Sequence, residues 1–102
     1  MPPTLPLNPT EFTAQFDAAA RKAGFRVEAY GTINGHELSA YTKRTPGIRP
    51  RVYLSAGIHG DEPAPPYALL RLLEAGVFDE RCNWFICPLI NPVGFTHGTR
   101  EN

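Results

Sequence analysis

Apolar positions first recur at helical spacing in "NPTEFTAQFDAAARKAGF", where Phe12, Phe16, Ala19, Ala20 and Ala23 share one side. Asn8 is placed to cap this helix, Pro9 falls at its first position, where a missing N–H does no harm, and Gly24 ends it. The period then shortens. "FRVEAYGTI" and "HELSAYTKR" alternate as strands, and Asn34-Gly35 between them predicts a hairpin, because a tight primed turn needs positive φ at both positions. "TPGIRP" reads as a loop and "RVYLSAG" as a third strand. "EPAPPYALLRLLEAG" predicts a helix with its prolines confined to the first turn, the only place they are tolerated. Leu69, Leu70, Leu72 and Leu73 cover so much of it that the helix should be well buried, with Arg71 and Glu74 on its wet side. "NWFICPLI", apolar on both faces, predicts a strand covered above and below.

This order predicts an α/β fold: a mixed sheet in which an antiparallel hairpin precedes a parallel β-α-β unit over residues 51 to 90. No internal repeat or second domain is visible. Open α/β sheets bind ligands beyond the carboxyl ends of their parallel strands. His59 and Glu62 leave the end of the third strand, and Asn91, His97 and Arg100 lie in the loop leaving the next parallel strand. Two loops rich in polar chemistry are therefore expected on one edge.

Composition narrows the partners. The chain has 102 residues, 42% of them hydrophobic, and its 10 basic and 10 acidic residues cancel to zero net charge, the size and balance of one small globular domain. Arg44, Arg49 and Arg51 flank prolines and a glycine without interleaved aromatics, so a solvated loop outweighs a nucleic-acid patch and no nucleic acid is expected. No stretch approaches the ~20 apolar residues that cross a bilayer, and "MPPTLPLNPT" lacks the basic start and apolar segment of a signal peptide. A soluble, cytoplasmic protein without a membrane partner is expected. Cys82 and Cys87 stand at an odd spacing, which on a strand points them to opposite faces; buried free thiols are expected, not a bridge.

The candidate chemistry lies in "VYLSAGIHGDEPAPPYALLRLL". His59 and Glu62 stand where a strand gives way to a helix, and an imidazole and a carboxylate at that spacing across a turn can converge on one cation. Zinc accepts both ligand types. Gly57 and Gly60 let the backbone bend sharply on either side of the histidine. Asp61 is read as a helix cap ahead of a role in the site. The His-Glu-x-x-His pattern is absent, Pro63 stands where its inverted form needs histidine, Ser55 lacks a nucleophile elbow, and "GIHG" matches no phosphate-binding fingerprint. His36, just after the hairpin turn, reads as a strand residue with a polar tip.

"GIHGDEPAP" after one strand and "CPLINPVGFTHGTREN" after the next resemble the zinc carboxypeptidase superfamily, which includes the succinylglutamate desuccinylase/aspartoacylase-like hydrolases. The resemblance covers residues 51 to 102. It implies that His59 and Glu62 are the first two zinc ligands, Zn2+ being the cofactor. Arg100 of "GTREN" looks like the arginine that polarises the scissile carbonyl or grips the substrate carboxylate, tasks that suit a permanently charged guanidinium. Asn91 and Pro92 match the family's "NP" and are assigned a turn-forming role only, while His97 has no counterpart and reads as a loop histidine in solvent. In the family a "DLNR" segment, a third histidine ligand and a general-base glutamate follow, and none occurs before Asn102.

The chain is accordingly expected to be the N-terminal portion of a single zinc-carboxypeptidase-like catalytic domain, incomplete and by itself inactive. The activity implied is zinc-dependent hydrolysis of a C-terminal peptide bond or of the amide of an N-acyl amino acid, with a small peptide or N-acyl amino acid as substrate. The alternative is a non-catalytic scaffold or binding domain. Lacking later strands, the chain is expected to expose a hydrophobic edge and to be marginally stable or to aggregate.

Overall fold

The computed structural model describes residues 7–99. Helix α1 spans Pro9–Lys22; the Asn8 side chain accepts from the Glu11 N–H at 3.1 Å, and Gly24 leaves the helix with φ of +85°. Strands β1 (Arg26–Ile33) and β2 (His36–Lys43) form the expected hairpin, with Asn34 and Gly35 at φ of 48° and 79°. The positive φ at both positions is what the primed turn demands. After a loop come β3 (Arg51–Ser55), helix α2 (Ala64–Glu74), strand β4 (Asn83–Cys87) and a short helix α3 (Pro92–His97).

The four strands run in the order β1-β2-β4-β3. β1 and β2 pair antiparallel, β2 and β4 antiparallel, and β3 and β4 parallel, so the hairpin and the β-α-β unit join through β4. Val27, Tyr41, Ile86 and Leu54 are neighbours across this register, and they form the face on which both long helices pack. α1 contributes Phe12, Phe16 and Ala20, and α2 contributes Leu69, Leu70 and Leu73. Tyr41 sits 4.7 Å, centroid to centroid, from Phe16 and donates its hydroxyl to Asp17. A buried phenol needs such a partner. Burial, the bond to Asp17 and that residue's charge together push the Tyr41 hydroxyl pKa far above its usual value.

Four expectations require correction. β4 is covered on one side only: Phe85 is 40% exposed and stacks at 5.2 Å on Tyr53, which is 62% exposed, on the face opposite the helices. Its apolar run signals the core on one side and a bare aromatic surface on the other. Leu72 stands out into solvent, because the helix face that meets the core is filled by Leu69, Leu70 and Leu73. The segment after β4 is not all loop, since residues 92–97 close one helical turn and a half as α3. Cys82 and Cys87 are free, as expected, but only Cys87 is buried, while Cys82 is half-buried and precedes the strand.

The two ends of the sheet differ. At the amino end of β4, the Trp84 indole donates to the Asp79 carbonyl at 2.7 Å, and the Asn83 side chain accepts from the Thr45 N–H at 2.7 Å. These bonds pin the connecting loops. At the carboxyl end, backbone bonds continue past the regular strands, from Ala56 N–H to Cys87 O and from Ile90 N–H to Ala56 O. The loop carrying His59 and the segment entering α3 therefore lie side by side, as the topology requires.

Candidate metal centre

The loop leaving β3 turns at Gly57, with φ of +75°, where a Cβ would stand 2.9 Å from the Leu89 Cα. Only glycine fits both the conformation and the space. The chain then passes His59 and folds into a turn closed by the Glu62 N–H donating to the His59 carbonyl at 3.2 Å. This turn brings His59 Nδ1 to 2.9 Å from Glu62 Oε1. Both side chains stay accessible, at 41% and 46%, and border a shallow depression of about 190 Å³ with Ala56, Gly57, Ile58 and Pro65.

The donor set fits a cation. Zinc bonds of ~2.0–2.1 Å to nitrogen and oxygen in a tetrahedron separate neighbouring donors by about 3.3 Å. The His59–Glu62 spacing is a few tenths of an ångström shorter, within reach of a side-chain rotation. Among the described residues no group of three or more His, Cys, Asp and Glu side chains converges, so the described chain offers two protein donors. A cavity of about 1100 Å³ lies between α1 and α2 and contains neither His59 nor Glu62. Alanines of both helices line it with Leu70 and Leu73, beside Gln15, Lys22, Arg71 and Glu74, as expected of a groove between two packed helices.

The other residues singled out in the sequence separate. His97 is the exposed last residue of α3, as expected of a solvated histidine. His36 follows the hairpin turn and reaches Thr96 Oγ1 at 3.4 Å, which places it against α3. Asp61 does not cap α2; the N-cap is Pro63, without a side-chain hydrogen bond, so the expectation of a capping aspartate fails. The prolines pre-set the first turn in its place. Arg100 lies outside the described residues.

Asn91 does more than form a turn. It is 5% exposed, the one buried polar residue among the described residues. Its Oδ1 accepts from the Gly94 N–H at 2.8 Å and so caps α3, while its Nδ2 donates to the Ile58 carbonyl at 3.1 Å. Its own N–H donates to the Gly57 carbonyl at 2.8 Å. The capping half of this role was available from Asn-Pro-x-Gly at the end of an apolar strand; the bond to Ile58 spans 33 positions and carried no local signal.

Comparison with known proteins bears on the same segment. The succinylglutamate desuccinylase/aspartoacylase catalytic domain matches residues 48–102. No curated protein matches. A protein from Shewanella amazonensis, provisionally assigned as a metallopeptidase, superposes with a TM-score of 0.81 at 29% identity, over 91% of this chain and 36% of its own. An aspartoacylase-family protein from Mesorhizobium loti gives 0.56 at 26% identity, over 76% of this chain and 25% of its own. A metallo-carboxypeptidase from Burkholderia cenocepacia gives 0.78 at 22% identity, over 93% and 30%, a likeness of fold alone. This chain thus spans well under half the length of these structures. It belongs to the succinylglutamate desuccinylase/aspartoacylase catalytic-domain family, and the segment that makes it a member is the one that builds the candidate centre.

Proposed function

We propose that the chain carries the metal-holding front of a zinc-dependent amide hydrolase, acting on an N-acyl amino acid or a C-terminal peptide bond. The observation that carries this reading is the convergence of His59 Nδ1 and Glu62 Oε1 at the carboxyl end of β3, inside the segment matched to a hydrolase family. Zinc bound there would supply Lewis acidity toward water and a substrate carbonyl. His59 and Glu62 hold the ion, and their half-exposed position leaves substrate a way in. Arg100 is assigned to the substrate, where a guanidinium can pair with a carboxylate or a developing oxyanion. A third ligand and a general base are also needed. We assign these to the part of the domain that the longer solved relatives carry in addition, this chain spanning 36% of the Shewanella protein.

The reading is tested in a longer protein that contains this sequence, by hydrolysis of N-acyl amino acids and C-terminal dipeptides with and without a chelator. His59→Ala should abolish the chelator-sensitive activity; activity retained in that variant sinks the assignment. A second reading, a non-catalytic scaffold that holds a partner, is favoured by one observation, the exposed Tyr53–Phe85 stack. It requires no hydrolysis by the longer protein and no zinc binding that depends on His59.

A further inference from the structure

His59 is held between two fixed points, and Asn91 makes one of them. On the amino side, Asn91 bonds the carbonyls of Gly57 and Ile58 through its backbone N–H and its side-chain Nδ2, at 2.8 and 3.1 Å. On the carboxyl side, Gly60 is pressed so closely on α3 that a Cβ there would overlap the Gly94 carbonyl and the Thr99 oxygen. Gly94 is in turn pressed on the Asn91 side chain, where a Cβ would overlap its Nδ2. The loop carrying the histidine therefore has little freedom of its own. Its path is copied from α3, and α3 is set by Asn91.

We propose that Asn91 is a positioning residue for the metal centre, fixing the backbone at Ile58 so that His59 Nδ1 faces Glu62 before any ion arrives. The proposal rests on the reading of His59 and Glu62 as ligands and adds a residue that touches neither the ion nor the substrate. Its chemistry fits the task. A buried amide can donate to one backbone carbonyl and accept from another element's N–H at the same time, which a carboxylate or hydroxyl at this position cannot do with the same reach. Groups that orient metal ligands change metal affinity by about 10–100-fold when removed.

The test is zinc titration of the 102-residue chain and of variants whose folded state is verified by circular dichroism. Asn91→Asp keeps the oxygen that caps α3 but removes the donor to Ile58. Its added negative charge by itself favours a cation, so weaker binding can come only from lost geometry. Asn91→Ser keeps a capping hydroxyl and adds no charge, but its shorter side chain no longer brings a donor to the Ile58 carbonyl while it caps α3. Both are expected to weaken zinc binding by about 10-fold. Asn8→Ala, which removes the α1 cap, should lower stability without moving the affinity of the folded chain. Zinc affinity of Asn91→Ser within twofold of the parent overturns the proposal, whatever Asn91→Asp does. If His59→Ala binds zinc as well as the parent, the ligand reading has failed instead, and the two failures are distinct.

Discussion

Gly60 meets Gly94 with no room for a side chain on either: a methyl on Gly60 would overlap the Gly94 backbone and the Thr99 carbonyl oxygen. This contact seats the turn of the candidate centre on α3. Because the obstructing atoms are backbone, they cannot swing aside. Gly60→Ala is expected to cost about 1–3 kcal/mol, the usual penalty of overpacking, and to weaken zinc binding as the turn lifts from α3. Urea denaturation together with zinc titration checks both. A variant as stable as the parent with unchanged affinity would show the contact to be slack.

Tyr41 ties the sheet to α1 through Asp17, and its hydroxyl pKa is raised by burial first, then by the bond to Asp17 and by that residue's charge. A pKa raised in the folded state means that folded protein keeps a proton which the unfolded chain gives up. The resulting stability is present in full below the ordinary phenol value of 10.0 and is lost as pH climbs past it. Tyr41→Phe should cost about 1 kcal/mol at neutral pH, the net worth of one such hydrogen bond, and should flatten the fall in urea midpoint above pH ~10. Some fall will persist, because Tyr30 and Tyr53 are also raised, the former mainly by its own burial and the latter mainly by the nearby Cys87.

The bare face of the sheet carries Tyr53 stacked on Phe85, at 62% and 40% exposure. Adjoining aromatics left in water drive association, and β3, which carries Tyr53, is an outer strand whose far edge has no strand beside it among the described residues. The 102-residue chain is expected to self-associate with rising concentration. Tyr53→Lys should shift it toward monomer, since an edge lysine opposes pairing. Sedimentation velocity reads this directly; a parent chain that stays monomeric throughout would show that this face needs no cover.

Much of the scaffold was legible because its signals are local. Asn8-Pro9, Asn34-Gly35 and the prolines opening α2 each dictate their own backbone within a few residues, and each element formed where its signal stood. The β-α-β unit followed from element order, and with it the edge on which His59 and Glu62 would lie. What failed depends on which surfaces meet. Apolar residues on both sides of β4 say nothing of which side a helix will cover, and four leucines on α2 do not say that Leu72 would face outward. Asp61 looked like a cap in composition, but Pro63 stands at the helix start. Asn91 was legible as a turn residue, whereas its hold on Ile58 exists only once two distant loops are adjacent.

The most direct test of the central claim is zinc titration of the 102-residue chain against its His59→Ala variant, followed calorimetrically and by competition with a chelating dye. Two facing donors should give binding that weakens by at least about 10-fold when His59 is removed, and Glu62→Gln should act in the same direction because it withdraws the second donor's charge. Zinc binding of equal strength in the parent and in His59→Ala would contradict the account and leave His59 a turn residue without a metal to hold.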